Sequence, residues 1–104
     1  MAQFDVYRNG NPRTRKEIPY LLDVQADLLA SLATRVVVPL FTVSAIGTPV
    51  KHLTPKFRID NAEVVMSTAQ LAGVDQQFLG EKVGSLTEQR EEIIAALDFL
   101  FTGF

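Results

Sequence analysis

Polar and apolar positions in the stretch 85–104 recur with a helical period. At about 100° per residue, Leu86, Ile93, Ile94, Leu97, Leu100, Phe101 and Phe104 fall on one side of a helix, and Glu88, Glu91, Glu92, Ala95, Asp98 and Thr102 on the other. The pattern predicts an amphipathic helix from Ser85 to the last residue. Ser85 and Glu88 have capping-box spacing, in which the hydroxyl accepts from a first-turn N–H and the carboxylate reaches back to the cap's own N–H. Glu88, Glu91 and Glu92 add negative charge at the positive end of the helix dipole. Two residues break the pattern. Arg90 projects from the middle of the apolar side and needs acceptors for its guanidinium. Phe99 projects among the acidic positions, either as a partner contact or as a solitary exposed apolar residue.

Upstream the period shortens to two. Phe4 and Val6 alternate with Asp5 and Tyr7, which predicts a half-buried strand of roughly six residues. Asn9-Gly10-Asn11-Pro12 has turn chemistry, and 19–25 is β-prone and returns antiparallel to the first strand. The segment 26–34 lacks a clean cap and reads as loop. Arg35 to Phe41 contains Val36, Val37 and Val38 in succession and reads as a core strand, with Pro39 placing that end at an edge or a bulge. Gly47, Pro49 and Pro55 mark 42–55 as a connection over part of the sheet. Phe57-Arg58-Ile59 and Glu63 to Met66 flank the turn dipeptide Asp60-Asn61 and predict a hairpin. Short β pieces at 71–74 and 78–83 lead into the helix. The expected class is α+β, mainly β: antiparallel strands followed by one terminal helix, in a single domain over 1–104.

Composition narrows the function. A chain of 104 residues with 47% hydrophobic content can bury a core without disulfides or a structural metal. The absence of cysteine excludes thiolate catalysis, a zinc ribbon and a disulfide scaffold, and fits a reducing cytoplasm. No apolar run approaches the ~20 residues of a membrane span, and the N-terminus enters a strand pattern instead of a signal peptide. We therefore expect a soluble cytoplasmic protein with no membrane partner. Ten Lys and Arg against twelve Asp and Glu give a net charge of −2, which disfavours direct binding of nucleic acid through its phosphates. Arg8, Arg13, Arg15 and Lys16 nonetheless crowd around the first turn, as a solvated tip or a local basic patch.

Candidate catalytic groups are sparse. His52 is the only histidine. Asp23 with Asp27, or Glu91 with Glu92, form possible carboxylate pairs, but acidic residues this common usually only solvate a surface. Ser31, Ser44, Ser67 and Ser85 lie in no nucleophile-elbow context, and Gly47, Gly73, Gly80 and Gly84 are too dispersed to cradle a phosphate. Spacing points to a binding protein with no catalytic residue, metal or cofactor.

Several blocks taken in order carry a family resemblance. They are Phe4-Asp5-Val6-Tyr7, Leu22-Asp23-Val24-Gln25-Ala26-Asp27-Leu28-Leu29, Arg35-Val36-Val37-Val38-Pro39-Leu40, Leu86 with Arg90 and Ile93, and the ending Thr102-Gly103-Phe104. Over essentially its whole length the chain resembles the CcdB family of plasmid-maintenance toxins. The resemblance implies an SH3-like barrel of the CcdB/MazF type with a C-terminal helix, assembled as a homodimer. It implies a protein that is not an enzyme: one that binds the A subunit of DNA gyrase, inserts between the arms of the gyrase dimer and traps the cleaved-DNA complex. A small antitoxin, CcdA, wraps and extracts such toxins.

Position by position, the implied gyrase contacts are Gln25, Ala26, Leu28 and Leu29 after the second strand, with Asp98, Phe101, Thr102, Gly103 and Phe104 at the helix end. An acidic, partly disordered CcdA-like antitoxin would find complementary charge on Arg8, Arg13, Arg15 and Lys16. The chain departs from the best-known family pattern in three places: Thr102 replaces a tryptophan, Phe104 an aliphatic residue and Ala26 a serine. The altered tip leaves open a member that has lost poisoning activity. The rival reading is an endoribonuclease, since MazF-type toxins share the fold. That chemistry needs a basic and acidic constellation, for which only His52 with Asp23 or Asp60 offers itself.

Overall fold

In the computed structural model, which describes residues 2–103, seven strands precede one α-helix. They are β1 (Asp5–Asn9), β2 (Tyr20–Asp23), β3 (Thr34–Thr42), β4 (Lys56–Ile59), β5 (Ala62–Met66), β6 (Ala72–Asp75), β7 (Leu79–Ser85) and α1 (Arg90–Thr102). Every pairing is antiparallel. The sheet runs β4-β5-β3-β2-β1-β7, with β6 beside the first half of β3, and curls into a half-barrel. Among the described residues no helix is long and apolar enough to cross a membrane.

The period-two alternation decides which side chains enter the core. Phe4, Val6, Leu22, Val38, Leu40, Val64 and Met66 pack together, and Leu86, Ile93 and Ala96 close over them. Alternate residues of the same strands, including Tyr7, Val37, Phe41 and Val65, are buried as well, because the curled sheet has little solvated surface at its centre. The predicted hairpin is present. Asp60 and Asn61 form its two-residue loop with φ of +48° and +66°, the left-handed pair whose twist matches that of the flanking strands.

Pro39 differs from expectation, for it sits within a central strand. On one side it pairs with Leu21 of β2; on the other, β6 covers Thr34–Val37 and β5 covers Leu40–Thr42. The Pro39 carbonyl accepts from Ser67 N–H at 3.0 Å, and the imino nitrogen points the same way, into the gap between β6 and β5. A residue without an N–H is tolerated there because no carbonyl is waiting for one.

The helix starts later than its pattern suggests. Ser85 ends β7 opposite Asp5, and a 3-10 turn, Thr87–Gln89, intervenes before Arg90. The Ser85 hydroxyl accepts from Thr87 N–H at 3.2 Å, two residues on, so the capping box is not formed. Strand pairing holds Ser85 extended and denies it the cap position. The helix phase is also rotated. Ile93 and Ala96 are its buried residues, while Phe99 is half-buried and Phe101 is 70% exposed. Ala96 lets the helix approach the sheet closely, and 49–55 supplies a cover for Phe99 that Phe101 lacks.

Candidate functional site

After Asp23 the chain leaves the sheet and makes a 3-10 turn at Asp27–Leu29. Both ends of this turn are tied to segments that flank the sheet. The Asp27 carboxylate accepts from Gln3 N–H at 2.7 Å, and the Leu29 carbonyl accepts from Gln25 Nε2 at 2.9 Å. Between these ties the apolar side chains face outward: Leu28 is 92% exposed, and Leu29 and Leu32 are each 47% exposed. Ala26 is exposed beside them. Gln25, in contrast, is buried, with its carbonyl oxygen accepting from Val36 N–H at 3.0 Å. Of the four residues implied as contacts here, three offer surface and one is used inside the chain.

Beneath the turn lies a buried ion pair. Arg35 Nε donates to Asp23 Oδ2 at 2.8 Å, Nη2 lies 2.7 Å from the same oxygen, and both side chains are wholly inaccessible to solvent. The other carboxylate oxygen of Asp23 accepts from Gln25 N–H at 3.0 Å. Arg35 Nη1 and Nη2 find no well-aligned hydrogen-bond acceptor among the described residues. Burial pushes the Asp23 carboxyl above its ordinary range, and the Gln25 N–H and Arg35 only partly offset this. Tyr7 is close by. Its hydroxyl donates to Asp5 Oδ2 at 3.3 Å, and burial, reinforced by the charges of Asp5 and Asp23, raises it to about 12. Lys82 Nζ, 3.3 Å from Asp5 Oδ1, links the cluster to the surface.

The helix end forms a second exposed surface. Asp98, Phe101, Thr102 and Gly103 are all solvent-exposed. Gly103 adopts φ of +78° and donates its N–H to the Phe99 carbonyl at 2.9 Å, which closes the helix with a left-handed cap. Thr102 Oγ1 donates to the Asp98 carbonyl at 2.6 Å. Phe104 lies outside the described residues. Within one chain the two surfaces are separate. The turn neighbours the start of α1, since Gln3 contacts Asp27 and also accepts from Arg90 Nη1 at 3.3 Å, whereas Phe101 lies about 17 Å further along the helix axis.

Arg90 therefore finds its partners differently from a buried guanidinium. It is exposed, bonded to Gln3, and placed 5.6 Å from the centre of the Phe4 ring in a cation–π contact. Arg8, Arg13, Arg15 and Lys16 are exposed as well, and Arg8 makes only a loose 3.6 Å contact to Glu81. Arg13 stands at the rim of a groove of about 580 Å³ whose apolar wall is Ile18, Leu21, Val74 and Phe78.

His52, Asp23 and Asp60 do not assemble, although Glu92 lines the same groove as His52. His52 lies on the 49–55 connection with its ring 5.6 Å from that of Phe99 at a tilt of 51°, lining a groove of about 550 Å³. Asp23 is sealed against Arg35, and Asp27 is exposed and held by Gln3. Asp60 occupies the hairpin turn. Among the described residues no group of three or more His, Cys, Asp or Glu has metal-site geometry.

The ion pair and its link to Gln25 escape a reading by composition, which treats Asp23 as one more surface acid. No local pattern reveals it: alternation places Asp23 opposite Leu22 and Val24, and Arg35 opposite Val36 and Val38, on the face away from the main core, where a charge is ordinarily solvated.

Among solved structures, the chain is similar to an endoribonuclease in complex with its cognate antitoxin from mycobacterial species. Identity is 15%, the match covers 97% of this chain and 94% of that one, and the TM-score is 0.77. It is also similar to an endoribonuclease from mycobacterial species, with 16% identity, 97% and 90% coverage and a TM-score of 0.73. At such identities the likeness is one of fold. The sequence itself matches the family model described as CcdB protein over residues 3–103, nearly the whole length, and the chain belongs to the CcdB family.

Proposed function

We propose that this CcdB-family protein is the toxin of a toxin–antitoxin module, acting without catalysis by binding the A subunit of DNA gyrase and trapping its cleaved-DNA complex. The observation that carries this reading is the pair of exposed apolar surfaces, Leu28 and Leu29 on one side and Phe101 at the helix end on the other, at positions where the family resemblance implies partner contact. Leu28, Leu29 and Leu32 are exposed together in one segment, and it is contiguous apolar surface of this kind that marks an interaction site. A homodimer would carry each surface twice, and two-fold symmetry provides a way to combine elements that lie apart in one chain. Ala26, Asp98, Thr102, Gly103 and Phe104 complete the proposed contact set. A CcdA-like antitoxin with an acidic segment would engage Arg8, Arg13, Arg15 and Lys16, and the antitoxin bound to one mycobacterial neighbour supports a partner of that class.

The fold of those neighbours favours the endoribonuclease reading as the alternative. Against it, Asp23 is wholly buried and occupied by Arg35, and exposed His52 forms no hydrogen bond or ion pair with Asp23 or Asp60 among the described residues. Calorimetry with a purified gyrase A fragment tests the proposal. Leu28→Asp and Phe101→Asp should each weaken binding by about 2 kcal/mol or more, since a charge would then face an apolar pocket. Undiminished binding by both variants would remove these surfaces from the interface.

A further inference from the structure

We propose that Gln25 is a positioning residue: its buried side-chain amide holds the Asp27–Leu29 turn in the shape that presents Leu28 and Leu29 to a partner. The inference rests on the reading of that turn as a gyrase contact and assigns Gln25 a different part in it. At the end of β2 the ladder with β3 gives way. Val24 N–H still donates to the Val36 carbonyl at 3.0 Å, but Val36 N–H donates to Gln25 Oε1, also at 3.0 Å. A side-chain carbonyl thus takes the place of a strand carbonyl where the backbone turns away. The other end of the same amide, Nε2, donates to the Leu29 carbonyl at 2.9 Å. One planar group spans from the sheet to the last residue of the turn.

The amide is itself fixed from below. Gln25 N–H donates to Asp23 Oδ1 while Oδ2 is held by Arg35, so the backbone of Gln25 is anchored on a wholly buried ion pair. Its side chain has no freedom to follow a partner, and its donor and acceptor are both engaged. The turn's internal bonds, Leu29 N–H to the Ala26 carbonyl at 2.9 Å and Ala30 N–H to the Asp27 carbonyl at 3.0 Å, are exposed and need this support. A short turn of this kind is marginal without tertiary anchors. Preorganising an exposed apolar pair before binding reduces the ordering cost of association.

The geometry makes Gln25→Glu a specific test. A carboxylate still accepts from Val36 N–H but sets a negative oxygen against the Leu29 carbonyl; a neutral carboxylic acid restores both bonds, because its O–H donates where Nε2 did. Titrations with the purified gyrase A fragment should show Gln25→Glu weakened by about tenfold at mildly alkaline pH. Its affinity should return toward that of the unmodified protein as the pH falls to about 5. Gln25→Met, which fills the space without either bond, should be weakened at every pH and decides the matter if the acidic variant does not fold. Full affinity in either variant, or a loss in Gln25→Glu that acid does not reverse, overturns the proposal. If the unmodified protein does not bind the fragment, the gyrase reading fails instead. Hydrogen exchange in the free protein then decides the positioning claim: faster exchange at Leu29 and Ala30 in Gln25→Met supports it, and unchanged exchange overturns it.

Discussion

Replacing Arg35 with methionine isolates the contribution of the buried ion pair. The substitution keeps an unbranched apolar stem and removes the guanidinium, leaving Asp23 without solvent exposure and with Gln25 N–H as its remaining hydrogen bond. Breaking a buried pair by removing one partner typically costs about 3–5 kcal/mol. The lower end applies here, because Arg35 Nη1 and Nη2 lack aligned acceptors and their desolvation already weakens the pair. A loss of about 3 kcal/mol is a large share of the ~5–15 kcal/mol that holds a domain folded. Urea unfolding at fixed protein concentration, followed by circular dichroism, reads it from the midpoint at constant m.

Acidification separates charge isolation from simple loss of packing. Burial already raises the Asp23 carboxyl in the folded chain. Without Arg35 it rises further, so the folded state binds the proton more tightly than the unfolded one and stability increases as the pH falls. The variant should regain much of its loss on acidification toward the ordinary carboxylate range. A second substitution, Asp23→Leu added to Arg35→Met, should return stability to within about 1 kcal/mol of the starting protein, since an apolar pair can replace a buried ionic one. A loss under about 1 kcal/mol for Arg35→Met, with no acid recovery, would show that water reaches Asp23 and that the pair is not isolated from solvent.

Two further outcomes follow from the same structure. Tyr7 is raised to about 12 in the folded chain from an ordinary 10.0, so its contribution is fully present below pH 10 and is lost as the pH passes about 12. Tyr7→Phe should remove up to about 3 kcal/mol of that alkaline pH dependence, measured by unfolding along a pH series; an unchanged alkaline limb would mean that another group sets it. Replacing Arg13, Arg15 and Lys16 together with alanine should slow association with an acidic antitoxin in stopped flow, and salt should shrink the difference; equal rates at low salt would exclude the segment.

Much of the sheet was legible because a half-buried strand writes its alternation directly into the sequence, as Phe4 and Val6 or the hairpin at Asp60-Asn61 show. Pro39 was misplaced because propensity speaks of a strand's own N–H groups and not of where its neighbours stop. The Ser85 box failed for the converse reason: its spacing was right, but pairing with Asp5 fixed the residue in a strand. The helix phase was ambiguous wherever aromatics fell on adjacent positions. Phe99 and Phe101 exchange the expected environments because the cover for one comes from a distant loop that no local period encodes. The proposed contact residues Ala26, Leu28, Leu29, Asp98, Thr102 and Gly103 were accessible through family resemblance alone. The inward role of Gln25 required the coordinates of Val36 and Leu29.

Incubating the purified protein with gyrase, ATP and supercoiled plasmid, then denaturing the enzyme with detergent and digesting it, shows whether gyrase is trapped on cleaved DNA. Linear DNA should accumulate with added protein, disappear when Leu28→Asp and Phe101→Asp are combined, and be accompanied by no cleavage of single-stranded RNA in a parallel incubation. Absence of linear DNA at saturating protein, together with RNA cleavage that disappears in His52→Ala, would rule out gyrase trapping and establish the ribonuclease reading instead.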